Sequence, residues 1–167
     1  MPAGELYIAY HSGMANVPTS ARYNYSNGTY TRSNSGAWVD AFLAWGVSMD
    51  KSSLSNLMAP APLKDMIENK SATENGKSVI RTGRYLDERT LTLGMNISAT
   101  TQATFLSRYG YFCSQVLAYG KLDIRTKYQT GVVYHLDYLS CSQFGEFRLS
   151  MGKFVLRVVE PNPANRA

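Results

Sequence analysis

Between Thr90 and Leu117 the chain changes its hydrophobic period once, and that change limits what it can fold into. Leu91, Leu93, Met95 and Ile97 alternate with Thr90, Thr92, Gly94 and Asn96, the period of two that lays one face of a β-strand on a core. Directly afterwards Phe105, Tyr109, Phe112 and Val116, with Leu106, Cys113 and Leu117 beside them, recur at helical spacing on one broad face. Thr100 or Thr101 offers that helix a hydroxyl N-cap, and Gly120 can take the left-handed conformation that stops it.

After Gly120 the alternation returns. Leu122 and Ile124 face away from Asp123 and Arg125, and Val132, Tyr134, Leu136 and Tyr138 face away from His135 and Asp137, with Gly131 at the turn between. Phe147, Leu149 and Met151 make a third segment, and Phe154, Leu156 and Val158 a fourth whose phase is shifted by one, which a bulge at Gly152 would absorb. The final EPNPANRA carries two prolines and no long apolar side chain, so the last strand should stop near Glu160. Strand, helix, then a meander predicts a β-rich α+β fold: an antiparallel β-sandwich or a partly closed barrel, with one main amphipathic helix plugging or flanking it.

The first half is less regular. Glu5 to Tyr10 can form a short strand, and 11–36 reads as a polar arm projecting from the body. Within it Asn27-Gly28, between Tyr23/Tyr25 and Thr29/Tyr30, is a two-residue hairpin signal. Trp38 to Met49 suits a buried strand, two strand pieces bent at Gly46, or a short helix; periodicity alone does not separate these. Pro60 and Pro62 interrupt regular structure in a long surface connection that ends at Asn75-Gly76, within which Lys64 to Asn69 can make at most a helical turn. The expected organisation is one domain over 1–167, with arm, short strands and long loop in 1–79, a core in 80–160 and a tail in 161–167.

Of the 167 residues, 44% are hydrophobic and 17% charged, enough apolar material for one core and too little length for two comfortable domains. No stretch approaches the roughly 20 apolar residues of a membrane span, and MPAGELYIAYHSG lacks the basic start and apolar run of a secretory signal, so a cytosolic protein is expected. The formal charge of +5 comes from 17 Lys and Arg scattered without a basic run, which argues against nucleic-acid binding as the main function.

Residues that could carry chemistry do not assemble into a motif. Cys113 and Cys141 form neither a disulfide framework nor a metal-ligand spacing and are expected to be ordinary buried thiols. His135 and Asp137 point to one strand face, but Cys141 lies too far along that strand for a nucleophile and base, so cross-strand polar pairs are the expected role. His11 stands alone, and zinc would need four ligands from four distant places. Asp87-Glu88 are sequence neighbours and diverge if extended, unlike a glycosidase pair. NYS and NGT match a glycosylation pattern that a cytosolic chain would not use. The expectation is therefore no catalytic residue, no cofactor, no metal and no small-molecule substrate.

Tyrosines are different. Tyr7, Tyr10, Tyr23, Tyr25 and Tyr30 crowd the arm, and rings with a polar tip suit interfaces as well as local packing. Leu54, Leu57, Met58 and Leu63, in the 52–77 loop, add apolar contact material.

The element order carried by RYLDERTLTLGMNISA (84–99), TTQATFLSRYGYFCSQVLAYG (100–120), KLDIRTKY (121–128) and the run from Val132 to Glu160 resembles the tail-tube-like superfamily of tailed-phage proteins, which includes tail tube, distal tail and tail terminator proteins. The stretch from Trp45 to Asn69 also looks like the opening of distal tail proteins. The resemblance implies a virion structural protein from a phage or prophage with no active site. It would be built in the host cytoplasm as a homo-oligomeric ring, typically a hexamer, contacting other tail proteins and passing DNA at most through its lumen. It also implies that deleting 11–36 spares the fold and abolishes the ring. One departure favours a connector over a lumen-lining tube: tube lumens tend to be acidic, and this chain is net basic. A monomeric β-barrel-like module enclosing a small apolar ligand is the alternative.

Overall fold

A computed structural model describes residues 4–14, 16–30, 37–65, 67–69, 78–80 and 85–167. Its strands are β1 Leu6–Ala9, β2 Arg22–Asn24, β3 Thr29–Tyr30, β4 Ala37–Asp40, β5 Val47–Met49, β6 Ile67–Asn69, β7 Ser78–Ile80, β8 Arg89–Ser98, β9 Lys121–Thr126, β10 Tyr134–Arg148 and β11 Met151–Glu160. Three α-helices, α1 Ala41–Trp45, α2 Lys51–Met58 and α3 Gln102–Phe112, complete the frame, and α3 runs on into a π-helical turn, Cys113–Leu117. Nine strands form one antiparallel sheet in the order β3-β2-β4-β1-β9-β10-β11-β8-β5, and β6 pairs with β7 apart from it.

The chain goes from β4 to β5 through α1 alone. In a flat sheet those strands, six places apart, would lie roughly 29 Å from each other at about 4.8 Å per strand. Five helical residues advance only about 7.5 Å, so the sheet has to roll up and bring β5 back towards β4. The core has the corresponding composition: Leu6, Ile8 and Val39 from one end of the sheet and Val47, Met49, Met95 and Ile97 from the other belong to one buried cluster with Phe105, Phe112 and Val116 of the main helix. This is the expected β-rich α+β fold in its partly closed form, with α3 inside the curl.

Local chemistry explains the closing helix. Asp40, fully buried, caps α1 by accepting from Phe42 N (3.1 Å) and Leu43 N (3.3 Å), and also accepts from Gly4 N (2.7 Å) and Tyr30 Oη (3.0 Å). Gly46 ends α1 at φ +68°, and a Cβ there would overlap the Ser98 carbonyl oxygen. Trp45 then drops into the core and donates to Gln115 Oε1 at 2.9 Å. The π-turn buries Gln115 and Val116 in succession, which allows that polar contact without giving up an apolar one.

Several expectations are corrected. The described part of the arm does not project: β2 and β3 extend the sheet, and Met14, Val17 and Ala21 lie in the core. Deleting 11–36 would therefore unfold part of the core. The hairpin at Asn27-Gly28 forms, but over the four residues 25–28, with Gly28 alone at positive φ. The surface connection begins as α2, and the turn expected over Lys64 to Asn69 is replaced by β6. Phe147 belongs to β10 and Met151 to β11, with the reversal at Leu149, whose φ is +49°. The register shifts lie between Tyr138 and Ser140, Cys141 and Gln143, and Gly145 and Arg148 of β10, not at Gly152, which keeps unbroken register with β8. Asn75-Gly76 lies outside the described residues. Three local predictions hold: Thr101 is the N-cap of α3, Gly120 sits at φ +81° after it, and β11 ends at Glu160.

Candidate interaction surfaces

Four of the five arm tyrosines, Tyr7, Tyr23, Tyr25 and Tyr30, converge on the sheet face opposite the core, whereas Tyr10 packs against the core. Tyr7 pairs across strands with Asp40 and Arg125, and Tyr23 pairs with Trp38 and Tyr30. The rings interlock: Tyr7 meets Tyr23 at 5.0 Å and Tyr25 at 5.3 Å, Tyr23 meets Tyr25 at 5.0 Å and Tyr30 at 5.2 Å, and Tyr25 stands edge-on to Trp38 at 6.1 Å. Arg125 is held between Tyr25 (4.1 Å) and Trp38 (4.9 Å), and Arg22 lies over Tyr10 at 4.9 Å. Burial pushes the Tyr25 and Tyr30 phenols well above their ordinary range, with Tyr7 adding to the first and the Asp40 carboxylate to the second.

Much of this layer is spent inside the subunit. Tyr7 is buried, Tyr10, Tyr23 and Tyr25 are half-buried, and of the five Tyr30 is the exposed one. In α2, Leu57 is fully buried and Leu54 half-buried, whereas Met58 and Leu63 are exposed. Leu63 bridges Leu86, with Lys64 N donating to Tyr85 O (2.9 Å) and Asp87 N to Pro62 O (2.8 Å). Leu63 and Leu86 therefore make an exposed apolar ridge on the segments next to the β6–β7 pair, and Met58 and Tyr85, the latter 73% exposed, are further exposed apolar residues near them in the chain. Arg89 fixes the ridge's root by donating to Leu57 O (2.8 Å) and Ala59 O (2.5 Å) at the carboxyl end of α2.

A second surface lies elsewhere. Every exposed residue of α3 and the first residues after it is uncharged, and Ala103, Leu106, Ser107, Gly110, Tyr111 and Ser114 make up nearly all of that face. Solvent-facing helices are normally rich in charge. Beside it runs a groove of about 430 Å³ between α1, α3 and the segment before β2, lined by Val17, Pro18, Ala44, Ala103 and Tyr111 among others. Arg108, donating to Ser98 O at 3.0 Å, is its charged lining residue.

The chain matches no family model and no curated protein. Among solved structures it is similar to Dit of phage SPP1, described as a paradigm of the hub adsorption apparatus in phages infecting Gram-positive hosts. The TM-score is 0.47 at 16% identity, covering 64% of this chain and 42% of that one. The present chain thus spans less than half of that protein's length.

The candidate chemical residues sit in structural contacts. His135 Nδ1 lies 2.9 Å from Asp123 Oδ1 and its Nε2 3.1 Å from Ala167 O, while Asp137 faces Lys121 across the strands. His11 stacks on Tyr119 at 3.8 Å. Among the described residues no three His, Cys, Asp or Glu side chains converge as metal ligands, and no helix is long and apolar enough to cross a membrane. The expectation of two buried thiols needs correction, because Cys113 is half-buried and Cys141 exposed. Sequence reasoning missed Tyr85, Leu86, Gly110 and Tyr111, and it set Leu106 on the apolar face of the helix, whereas Leu106 is exposed. The run from Gln102 to Ser114, with Arg108 as its one charge, was the available signal.

Proposed function

We propose that this chain is a structural subunit of a phage-tail-type assembly, joining copies of itself head to tail into a ring and docking neighbouring tail proteins, with no catalysis of its own. The observation that carries this reading is the presence of two exposed apolar surfaces in different places: the Leu63–Leu86 ridge, with Met58 and Tyr85 exposed near it in the chain, and the uncharged α3 face with its groove. A ridge and a groove on one chain make a heterologous contact, which propagates until the rotation closes. Assembly in the host cytoplasm, a place in the virion tail and DNA at most in the lumen follow from the same reading.

Light scattering across a concentration series tests it. Leu63→Asp should blunt the ridge. Gly110→Arg should put a charge on the uncharged α3 face without harming the fold, since a Cβ at Gly110 meets no atom within 4 Å. Each variant alone should be monomeric, and an equal mixture should stop at a heterodimer, because one surface of each kind survives. A wild-type monomer at every concentration that binds a small apolar probe in the groove would instead establish the ligand-binding alternative.

A further inference from the structure

Asn24, at the end of β2, and Asn27, in the turn to β3, each fold the side-chain carboxamide back over the chain. Asn24 Oδ1 accepts from Ser26 N at 2.8 Å, and Asn27 Oδ1 accepts from Thr29 N at 3.4 Å. In this Asx arrangement the carboxamide lies over the peptide bond that follows its own residue. Two differences set Asn27 apart. Its oxygen takes a second hydrogen bond, from Thr29 Oγ1 at 2.9 Å. The nitrogen that follows it belongs to Gly28, where φ is +70° and an added Cβ would make an ordinary contact with Tyr23 Oη at 3.7 Å, so no side chain of its own shields that nitrogen. The nitrogen after Asn24 belongs instead to Tyr25, whose ring packs against Tyr7, Tyr23 and Trp38. Residues 26–29 are all exposed, which gives the turn free access to water.

We propose that Asn27 is a self-modification site, deamidating through the Gly28 peptide nitrogen with the Thr29 hydroxyl assisting. The reacting groups are covalent neighbours, so the ring closure is intramolecular and needs neither partner nor cofactor. Its effect reaches the sheet. β3 is held to β2 by the pairs Tyr23–Tyr30 and Asn24–Thr29, and Tyr30 Oη donates to the buried Asp40. An isoaspartate at 27 carries one more carbon in the backbone between these pairs, which shifts their register and loosens the edge strand. The inference stands apart from the proposed assembly role.

The Gly28 N–H, donated to Asn24 O at 2.9 Å in the closed turn, has to come free first. The nitrogen then gives its proton to hydroxide or water and attacks Asn27 Cγ, forming the N–Cγ bond while the carbonyl electron pair moves onto Oδ1. Thr29 Oγ–H and N–H already point at that oxygen and stabilise the charge as it develops. The pair returns, the Cγ–Nδ2 bond breaks, and Nδ2 takes up a proton and leaves as ammonia. A cyclic imide now joins residues 27 and 28. Water opens one or other imide carbonyl, giving aspartate or isoaspartate. One water is consumed, one ammonia is released, and nothing is oxidised or reduced.

The test incubates the folded full chain at neutral and mildly alkaline pH and maps its tryptic peptides by mass spectrometry, with isoaspartyl methyltransferase labelling as a second readout. The peptide from Tyr23 to Arg32 holds both Asn24 and Asn27, so fragmentation sets one against the other, and Asn75-Gly76 falls in a different peptide. Asn27 should gain the mass of water less that of ammonia and take the isoaspartyl label, while Asn24 stays intact. The rate should rise with pH, because the attacking nitrogen must lose its proton. Thr29→Val should slow the reaction severalfold, and Asn27→Gln should halt it, because the longer side chain closes a larger ring less readily; circular dichroism confirms that each variant is folded. An unmodified Asn27, equal modification of Asn24, or a Thr29→Val chain reacting at the wild-type rate would overturn the proposal.

Discussion

Arg89 and Glu160 oppose each other across the β8–β11 ladder as a buried ion pair, their side chains 5% and 0% exposed. Arg166 donates to the same carboxylate from the C-terminal tail at 2.9 and 3.1 Å, and both guanidinium groups lie over the Tyr134 ring, at 5.7 Å for Arg89 and 4.9 Å for Arg166. One carboxylate thus joins the last strand, the tail and, through Arg89, the end of α2. Removing it leaves two cations facing an emptied site. Glu160→Ala should lower unfolding stability by about 3 to 5 kcal/mol in urea titration; a loss below about 1 kcal/mol would show that water replaces the carboxylate at little cost.

Asp40 accepts four hydrogen bonds from three segments. Asp40→Ala should cost about 2 to 4 kcal/mol, a lost cap together with buried donors left unpaired. Asp40→Asn, which keeps one carbonyl oxygen as cap acceptor, should recover part of that loss when the two are compared by thermal melting.

Gly46 holds φ +68° against the Ser98 carbonyl. Gly46→Ala combines a left-handed alanine with backbone overlap and should cost about 2 kcal/mol or more. The same change at Gly110, in open space and helical geometry, should stabilise by up to about 1 kcal/mol. Calorimetry of the two variants reads both signs, and equal shifts would contradict the assigned backbone geometry.

The Glu5 carboxylate accepts from Lys127 Nζ at 2.7 Å and from Tyr128 Oη at 3.3 Å. The lysine hydrogen bond, outweighing burial, holds the Glu5 pKa below the ordinary carboxylate value. Its contribution is then fully present above the unfolded value of about 4.3 and is lost as pH falls through the depressed folded value. Lys127, raised chiefly by the same hydrogen bond, contributes below its ordinary range and loses that contribution only as pH rises through the raised value. Lys127→Met should flatten the acid limb of the Tm–pH curve; an unchanged limb would assign it to other carboxylates.

Legibility followed the range of the interactions concerned. β8, α3 and the stop at Gly120 are written in neighbouring residues, as alternation, a Thr101 cap and a left-handed glycine, and could be read directly. Five residues are too few to show a period, so α1 was one of three readings for Trp38 to Met49. Its cap, Asp40, is recognisable only once the strand before it is known. The tyrosine layer depends on Tyr23 meeting Trp38 and Tyr7 meeting Arg125, pairings fixed by register between distant strands. Composition told that the rings would be buried against something; it did not tell that this was mostly the chain itself. The bulges moved from Gly152 to β10 for a related reason: β11 is held on both sides, by β8 and β10, and the longer strand takes up the mismatch.

The place of β11 has a consequence for how the molecule comes into being. Within the sheet it lies between β10 and β8, yet it follows the sheet's other strands in the chain and is the last of them to be synthesised. Until it is, the remaining strands can pair only as two rafts, β3-β2-β4-β1-β9-β10 and β8-β5. Long-range joining of this kind makes folding slower than in domains with local contacts and leaves strand edges open until the last strand is made. The closing strand acts as a keystone, and a nascent chain short of it has no finished barrel to offer a neighbour.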